Sequence, residues 1–411
     1  MSPFKEISIE TSGRVDSMWT PNLYAACLAA VCTHSFYTGV RLALAVTALK
    51  LTEAPATVGF IMMAYALLPA LLSPRIGRAA DQYGVRLLLH CCLGLLVATG
   101  SALWWLPHHT VALIIAAALV GLGFNGFAVS IQKLIGGLPP SKKLADVSAA
   151  ESRKRNFGTL ATATSISSFA GPLFAGWGLD RLPAGAVFGL LAILPLLAWA
   201  LSLSWQLPRS AAPAAVTSPT TAASRRRSPL LTPELWPLAV AIVMLTVAGD
   251  ALGFLTPIIG KDLGFSATTV GGIVSAFALG SFIVRLTSGL FIAKLPEWKY
   301  LSATLFACAA IVLLYGQASS PLAFTLLSFA LGAWLGLAQP MTQSLLHHSV
   351  PESRVGEALG ARLALVGTAQ AAGPLVFGLG AQSLGAGPTL TLTCFALAAG
   401  GFYAARAAKT T

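Results

Sequence analysis

Twelve apolar runs, each about 20 residues long, recur along this 411-residue chain without the regular alternation of a membrane strand. A helix of that length crosses a hydrocarbon core of roughly 30 Å. Inside lipid every backbone N–H and C=O has to be paired within the segment or around a closed barrel. The runs start near residues 22, 57, 86, 111, 156, 185, 235, 267, 300, 321, 356 and 386. A barrel would need strands whose side chains alternate between lipid and lumen, so helices are the remaining solution. The chain is expected to be an all-α integral membrane protein with twelve transmembrane helices. Composition agrees, with 56% hydrophobic and 10% charged residues, where soluble domains carry about a quarter charged.

The first 20 residues are polar and the run behind them is of full spanning length. No cleavable leader is therefore expected, and both termini are assigned to the cytoplasm. That choice puts Arg75, Arg78, Arg86, Lys133, Arg153, Lys154, Arg155 and Arg225 to Arg227 on one side. Only Lys50, Arg181 and Lys261 fall on the other. Such a bias is the positive-inside pattern of a plasma (inner) membrane protein. It also accounts for the net charge of +12, with anionic lipids as the basic residues' partners and no nucleic acid. The six cysteines, Cys27, Cys32, Cys91, Cys92, Cys308 and Cys394, all lie in apolar runs without metal-ligand spacing, and read as small packing residues.

A polar stretch rich in Ala, Pro, Ser and Thr, residues 206–234, separates the sixth span from the seventh and has the composition of a flexible linker. The expected division is a first six-helix bundle over 1–206, a cytoplasmic linker over 207–234 and a second bundle over 235–411. The halves also repeat one another. Val58 falls over Val270 and Pro139 over Pro351 at an offset of 212. Gly158, Gly171, Pro172 and Gly176 fall over Gly360, Gly373, Pro374 and Gly378 at an offset of 202. A kept offset within each block points to duplication of one plan.

Between spans two and three stands Gly77, Asp81, Gly84 and Arg86, in the pattern G-x-x-x-D-x-x-G-x-R. This resembles the loop signature of the major facilitator superfamily, and the resemblance extends over the whole chain: twelve spans, two halves and a long central loop. It implies two pseudo-symmetric six-helix bundles that rock around a cavity at the bilayer midplane. It also implies that Asp81 and Arg86 latch the outward-facing state, while Gly77 and Gly84 allow a tight turn and close helix approach. Gln82 and Val85 stand where relatives usually carry basic residues. In span five Gly158, Ser167, Gly171, Pro172, Ala175 and Gly176 approximate the family's antiporter signature. Span eleven repeats the pattern with Gly360, Ala369, Gly373, Pro374 and Gly378, as close packing of small residues around a proline bend would also demand. The arginine that drug and proton antiporters carry in span four is replaced by Leu122, ahead of Asn125 and Gly126.

Polar residues inside spans are costly and face a cavity or a partner. Here they form stripes at helical spacing: His34, Thr38 and Arg41 in span one, Asn125 and Gln132 in span four, Thr246 and Asp250 in span seven, Gln339, Gln343 and His347 in span ten. In the superfamily those four spans line the central cavity, so His34, Thr38, Arg41, Asn125, Gln132, Asp250, Gln339 and Gln343 are the candidate substrate and proton residues. Asp250 or His34 would exchange protons, and Arg41 would meet a polar or anionic part of the substrate or pair with Asp250 across the halves. Arg285 and Arg362, about two turns from their span ends, either snorkel to the interface or, with Arg41, give the cavity a positive bias that favours an anionic substrate. Tyr37, Tyr65, Trp104 and Trp334 have rings that can stack on a ligand, with packing and interface belts as the competing reading for most of them.

These readings describe a secondary transporter working as a monomer without a cofactor, its energy drawn from a proton gradient and its partners a small-molecule substrate, protons and lipids. The expected work is proton-coupled efflux of a drug or metabolite. The alternative is an importer or facilitator for an organic anion. No phosphate-binding loop is present for ATP coupling. His347, His348 and Glu352 do not assemble into a membrane enzyme's acid–base pair, because Glu352 lies past Pro351.

Overall fold

The computed structural model describes residues 23–138, 149–205, 235–287, 296–351 and 355–410, and all regular structure among them is helical. Spans one to six are α1 (Leu23–Thr52), α2 (Pro55–Gln82), α3 (Val85–Trp105), α4 (Thr110–Gly136), α5 (Ala149–Arg181) and α6 (Ala184–Leu203). Spans seven to nine are α7 (Trp236–Asp262), α8 (Ala267–Thr287) and α9 (Glu297–Tyr315). The tenth span is broken into α10 (Pro321–Leu335) and α11 (Ala338–Ser349), and the last two are α12 (Val355–Leu384) and α13 (Ala386–Thr410). Eleven spans pass by length and hydropathy alone. The twelfth, α5, starts earlier than its apolar run and takes in Glu151, Arg153, Lys154 and Arg155. The linker 207–234 lies outside the described residues.

Short turns force consecutive spans to run antiparallel, so two ends of the bundle can be told apart. One carries the turn between α2 and α3 and is called the loop end. Gly84 in that turn has φ 83°, a conformation open to glycine and strained for other residues. Gly77 does not fulfil the close approach expected of it, since nothing stands within 4 Å of a Cβ built there.

At the far end the two bundles meet. α5 crosses α8 and α2 crosses α12, both through small residues. A Cβ on Gly271 would sit 2.5 Å from the Pro172 carbonyl oxygen, and one on Gly176 would overlap that of Ala267. At the other crossing a Cβ on Gly378 would sit 2.8 Å from Pro55 O, and one on Gly59 would sit 2.8 Å from Pro374 O. Gly59 and Gly271, and Gly176 and Gly378, are repeat mates, so both crossings use one device around a pseudo-twofold axis. Gly171 serves inside the first bundle, where its Cβ would run into Thr38 of α1. Gly158 and Gly373, expected to pack closely, meet no neighbouring helix within 4 Å.

Side chains add to the far-end closure. Asp180 accepts from Ala267 N–H and Thr268 N–H at 2.8 Å each, occupying the exposed amides at the start of α8. Its repeat mate Gln382 accepts from Ala56 N–H at 3.2 Å, near the start of α2. Lys261 reaches Leu49 O at 3.3 Å and Glu53 at 3.4 Å.

Candidate functional site

The bundles are joined at the far end and enclose between them a cavity of about 510 Å³. α1 contributes His34, Tyr37, Thr38 and Arg41, and α7 contributes Thr246 and Asp250. Arg285 comes from α8, Gln339 and Thr342 from α11, and Arg362 and Gln370 from α12. Ser165 and Ser168 of α5 complete the polar wall, with Pro172 beside them.

Five of the eight candidate residues, His34, Thr38, Arg41, Asp250 and Gln339, therefore share one cavity. The other three do not line it. Asn125 is engaged by α2, its Oδ1 accepting from Ser73 Oγ at 3.1 Å. Gln132 and Gln343 are exposed. Span four is screened from the space by aromatics of span one: Phe124 of α4 stacks on Tyr37 at 3.9 Å between centroids and lies 5.4 Å from His34. Tyr37 is a wall residue, its backbone carbonyl held by Tyr65 OH at 2.6 Å. Spans five, eight and eleven supply the lining that span four does not.

Arg41 and Asp250 join the halves. Arg41 Nη2 lies 3.2 Å from Asp250 Oδ1, and Asp250 is 8% exposed. Its second oxygen, Oδ2, is buried without a hydrogen bond among the described residues. Desolvating an acid this way is costly unless it is paired, and removing only one partner of such a pair is worse than replacing both. His34 is held differently. Its Nδ1 lies 2.7 Å from Ser167 Oγ, and that hydroxyl donates to Thr164 O at 2.7 Å. The consistent assignment has Nδ1–H donating to Ser167, leaving Nε2 as the acceptor. Ser167 stands where the span-five signature has a glycine, and its hydroxyl gives His34 its partner.

Arg285 and Arg362 do not snorkel to the loop-end interface. Both line the cavity. Arg285 Nε donates to Gly336 O at 3.0 Å, in the break between α10 and α11. Arg362, 7% exposed, approaches Thr342 Oγ1 through Nε at 3.4 Å. The N–H that would take Gly336 O in a continuous helix belongs to residue 340, which is Pro340 and has none, so this carbonyl lacks a helical partner and is open to Arg285.

In the latch motif Asp81 pairs with Lys133 of α4 at 2.6 Å, and Lys133 also donates to Ala80 O at 3.1 Å. Both side chains are solvated, where such a pair contributes little. The pair stays within the first bundle, and Arg86 is exposed on the same face. Three cysteines, Cys27, Cys92 and Cys308, are buried among apolar neighbours, and all six are unbridged.

The sequence model of the Major Facilitator Superfamily matches residues 26–374 and, in a second match, 238–410. The chain belongs to this superfamily. Its family and fold are those of small-solute transporters and not of enzymes. This transporter is 25% identical over 342 residues to the class C tetracycline resistance protein of Escherichia coli, covering 77% of this chain and 78% of that one. It is 24% identical over 308 residues to the multidrug resistance efflux pump PmrA of Streptococcus pneumoniae, covering 72% of each chain. Among solved structures, a bacterial homologue of the human lysosomal transporter Spinster, inward-facing and occupied, superposes with a TM-score of 0.74 at 14% identity, covering 95% of this chain and 96% of that one. The peptide transporter POT superposes with a TM-score of 0.76 at 15% identity, covering 94% of each. At such identities the likeness establishes the shared fold.

Proposed function

We propose that this transporter exports a small organic compound across the plasma membrane in exchange for protons, with the loop end in the cytoplasm. The observation that carries the reading is Asp250, a buried carboxylate on the cavity wall, bonded through one oxygen to Arg41 of the opposite bundle. Protonation removes the charge that Arg41 holds, so the bond joining α1 to α7 weakens when a proton binds. Proton binding and release thus change a contact between the two bundles, which ties proton movement to alternation. The efflux pumps among its relatives support the export direction, and the basic loop-end residues support the sidedness.

The test is transport in proteoliposomes with the pH imposed on each side. Uptake of tetracycline and of lipophilic dyes into vesicles oriented inside-out is expected to require an acidic lumen. Asp250→Asn is expected to lower gradient-driven uptake at least tenfold, while substrate-for-substrate exchange, which needs no net proton release, survives. Gradient-driven uptake left intact by Asp250→Asn would remove the proposed role.

A further inference from the structure

Three hydroxyls of the first bundle line the cavity with their hydrogens already engaged. Thr38 donates to His34 O at 3.0 Å, Ser165 to Ala161 O at 2.8 Å and Ser168 to Thr164 O at 3.0 Å. A hydroxyl has one hydrogen and two acceptor lone pairs. A ligand that donates here therefore adds a bond, and one that accepts has to break one. His34 follows the same rule. Its Nδ1–H is given to Ser167 at 2.7 Å, and Ser167 Oγ in turn donates to Thr164 O. Ser167 is fully buried, so water does not compete for that bond and the ring is held in one tautomer. Nε2 is then an acceptor without a hydrogen bond among the described residues, on a side chain that lines the cavity.

We propose that His34 and these hydroxyls form a subsite for an aromatic ring bearing an uncharged hydrogen-bond donor, above all a phenolic hydroxyl, and that Ser167 is the positioning residue that keeps His34 an acceptor. A ring is called for because Tyr37, also on the wall, lies 6.0 Å from His34 between centroids and within 28° of parallel to it, backed by Phe124 and Tyr65, and such faces take an offset-stacked partner. An uncharged donor is called for because Asp250, the one carboxylate among the described lining residues, is bonded to Arg41 through one oxygen and has the other enclosed. His34 thus reads the substrate, and the proton is left to Asp250. Selectivity follows from the bond left unmade. An analogue without the donor strips water from Nε2 and returns nothing, which a site of this kind rejects more strongly than an apolar pocket rejects a missing methylene.

The inference rests on this cavity being the transport path, but its test reads binding alone and needs no proton coupling. Thermal unfolding of the full-length protein in detergent at neutral pH is followed with three probes that share one ring system. They are 2-naphthol, 2-methoxynaphthalene, which has no donor, and 2-naphthylmethylammonium, whose donor is charged. A ligand that binds only the folded protein raises the melting temperature. Naphthol is expected to bind at least about tenfold more tightly than its methyl ether, and the ammonium more weakly than naphthol. His34→Phe keeps a ring and removes Nε2, and is expected to bring naphthol and the ether to within about twofold of each other. Ser167→Ala leaves the Nδ1 hydrogen without its acceptor and is expected to cut the preference about threefold. Binding of the ether is expected to hold in both variants, which a mere loss of packing would not allow. Equal binding of naphthol and ether by the parent protein, tighter binding of the ammonium, no stabilisation by naphthol, or a preference intact in His34→Phe would overturn the subsite. A preference intact in Ser167→Ala would overturn the positioning role. Should His34→Phe fail to fold, the preference of the parent protein and its reduction in Ser167→Ala decide. Failure here leaves proton-coupled export of another class of compound through Asp250 standing.

Discussion

Gly176 and Gly378 show how much one absent side chain can set. Each lies where a helix of one bundle crosses a helix of the other, and a Cβ would enter the backbone of Ala267 or Pro55. Backbone has no rotamer to move aside, so a larger residue has to push the bundles apart. Gly176→Val is therefore expected to shift the population away from the far-end-closed state. The measurement is the distance between spin labels at the far ends of α1 and α7, which should lengthen, where a substitution at Gly158, with open space around it, should leave it unchanged. The glycines could be read as packing residues from the repeat alone, but not which of them touch anything. Gly158 and Gly373 match the pattern as well as Gly176 does and meet no other helix closely. The polar stripes had the same limit. Spacing fixes the face of a helix and not what lies opposite, so Asn125 was claimed by Ser73 while Arg285 and Arg362, long enough to reach lipid interface or interior, turned inward.

The helices themselves were largely legible, because about 20 apolar residues in lipid have one backbone solution. Expected starts fall close to observed ones for most spans, as at 23, 85, 110, 267 and 386. The break in span ten was not legible from hydropathy, since residues on both sides of Gly336 are apolar, although Pro340, which has no N–H to give Gly336 O, was a signal for it. Neither was the extended start of α5, whose charged first turns look like loop. What joins helices inside a bundle is a sparse set of polar contacts on an apolar background. One is the buried cluster of Thr256, Tyr315 and Ser328, which ties α7, α9 and α10 through bonds of 2.6 Å and 3.4 Å at the Tyr315 hydroxyl. Interhelical bonds of this kind in membranes contribute on the order of 0.6 kcal/mol, and at most about 1.7 kcal/mol. Tyr315→Phe keeps the ring in place and loses only those bonds. It is expected to lower stability by about 1 kcal/mol, seen as a small drop in melting temperature with substrate binding unaltered. Tyr315→Ala, which also empties a fully buried site, should cost about 3–5 kcal/mol.

At the scale of the whole molecule the cavity is closed on one side by four kinds of contact between the bundles: two glycine crossings, two side-chain caps, the Lys261 contacts and the Arg41–Asp250 pair. Asp180 and Gln382 hold repeat-related positions but differ in charge, so the two arms of the closure are not equivalent. A carboxylate on a helix N-terminus gains from the dipole, typically 0.3–1 kcal/mol at exposed sites, which an amide does not match. Asp180→Ala is accordingly expected to weaken the closure more than Gln382→Ala, the readout being faster labelling of a cysteine placed at Thr38 from the far side. Because each bundle packs as one body, both arms have to part together. The seal on the far side therefore acts as an insulator in a circuit whose battery is the membrane potential. Damage to one arm changes how long that insulator stays in place without drilling a hole through it. Vesicles carrying Asp180→Ala should hold an imposed pH gradient as long as those carrying the parent protein, while turning over substrate at a different rate.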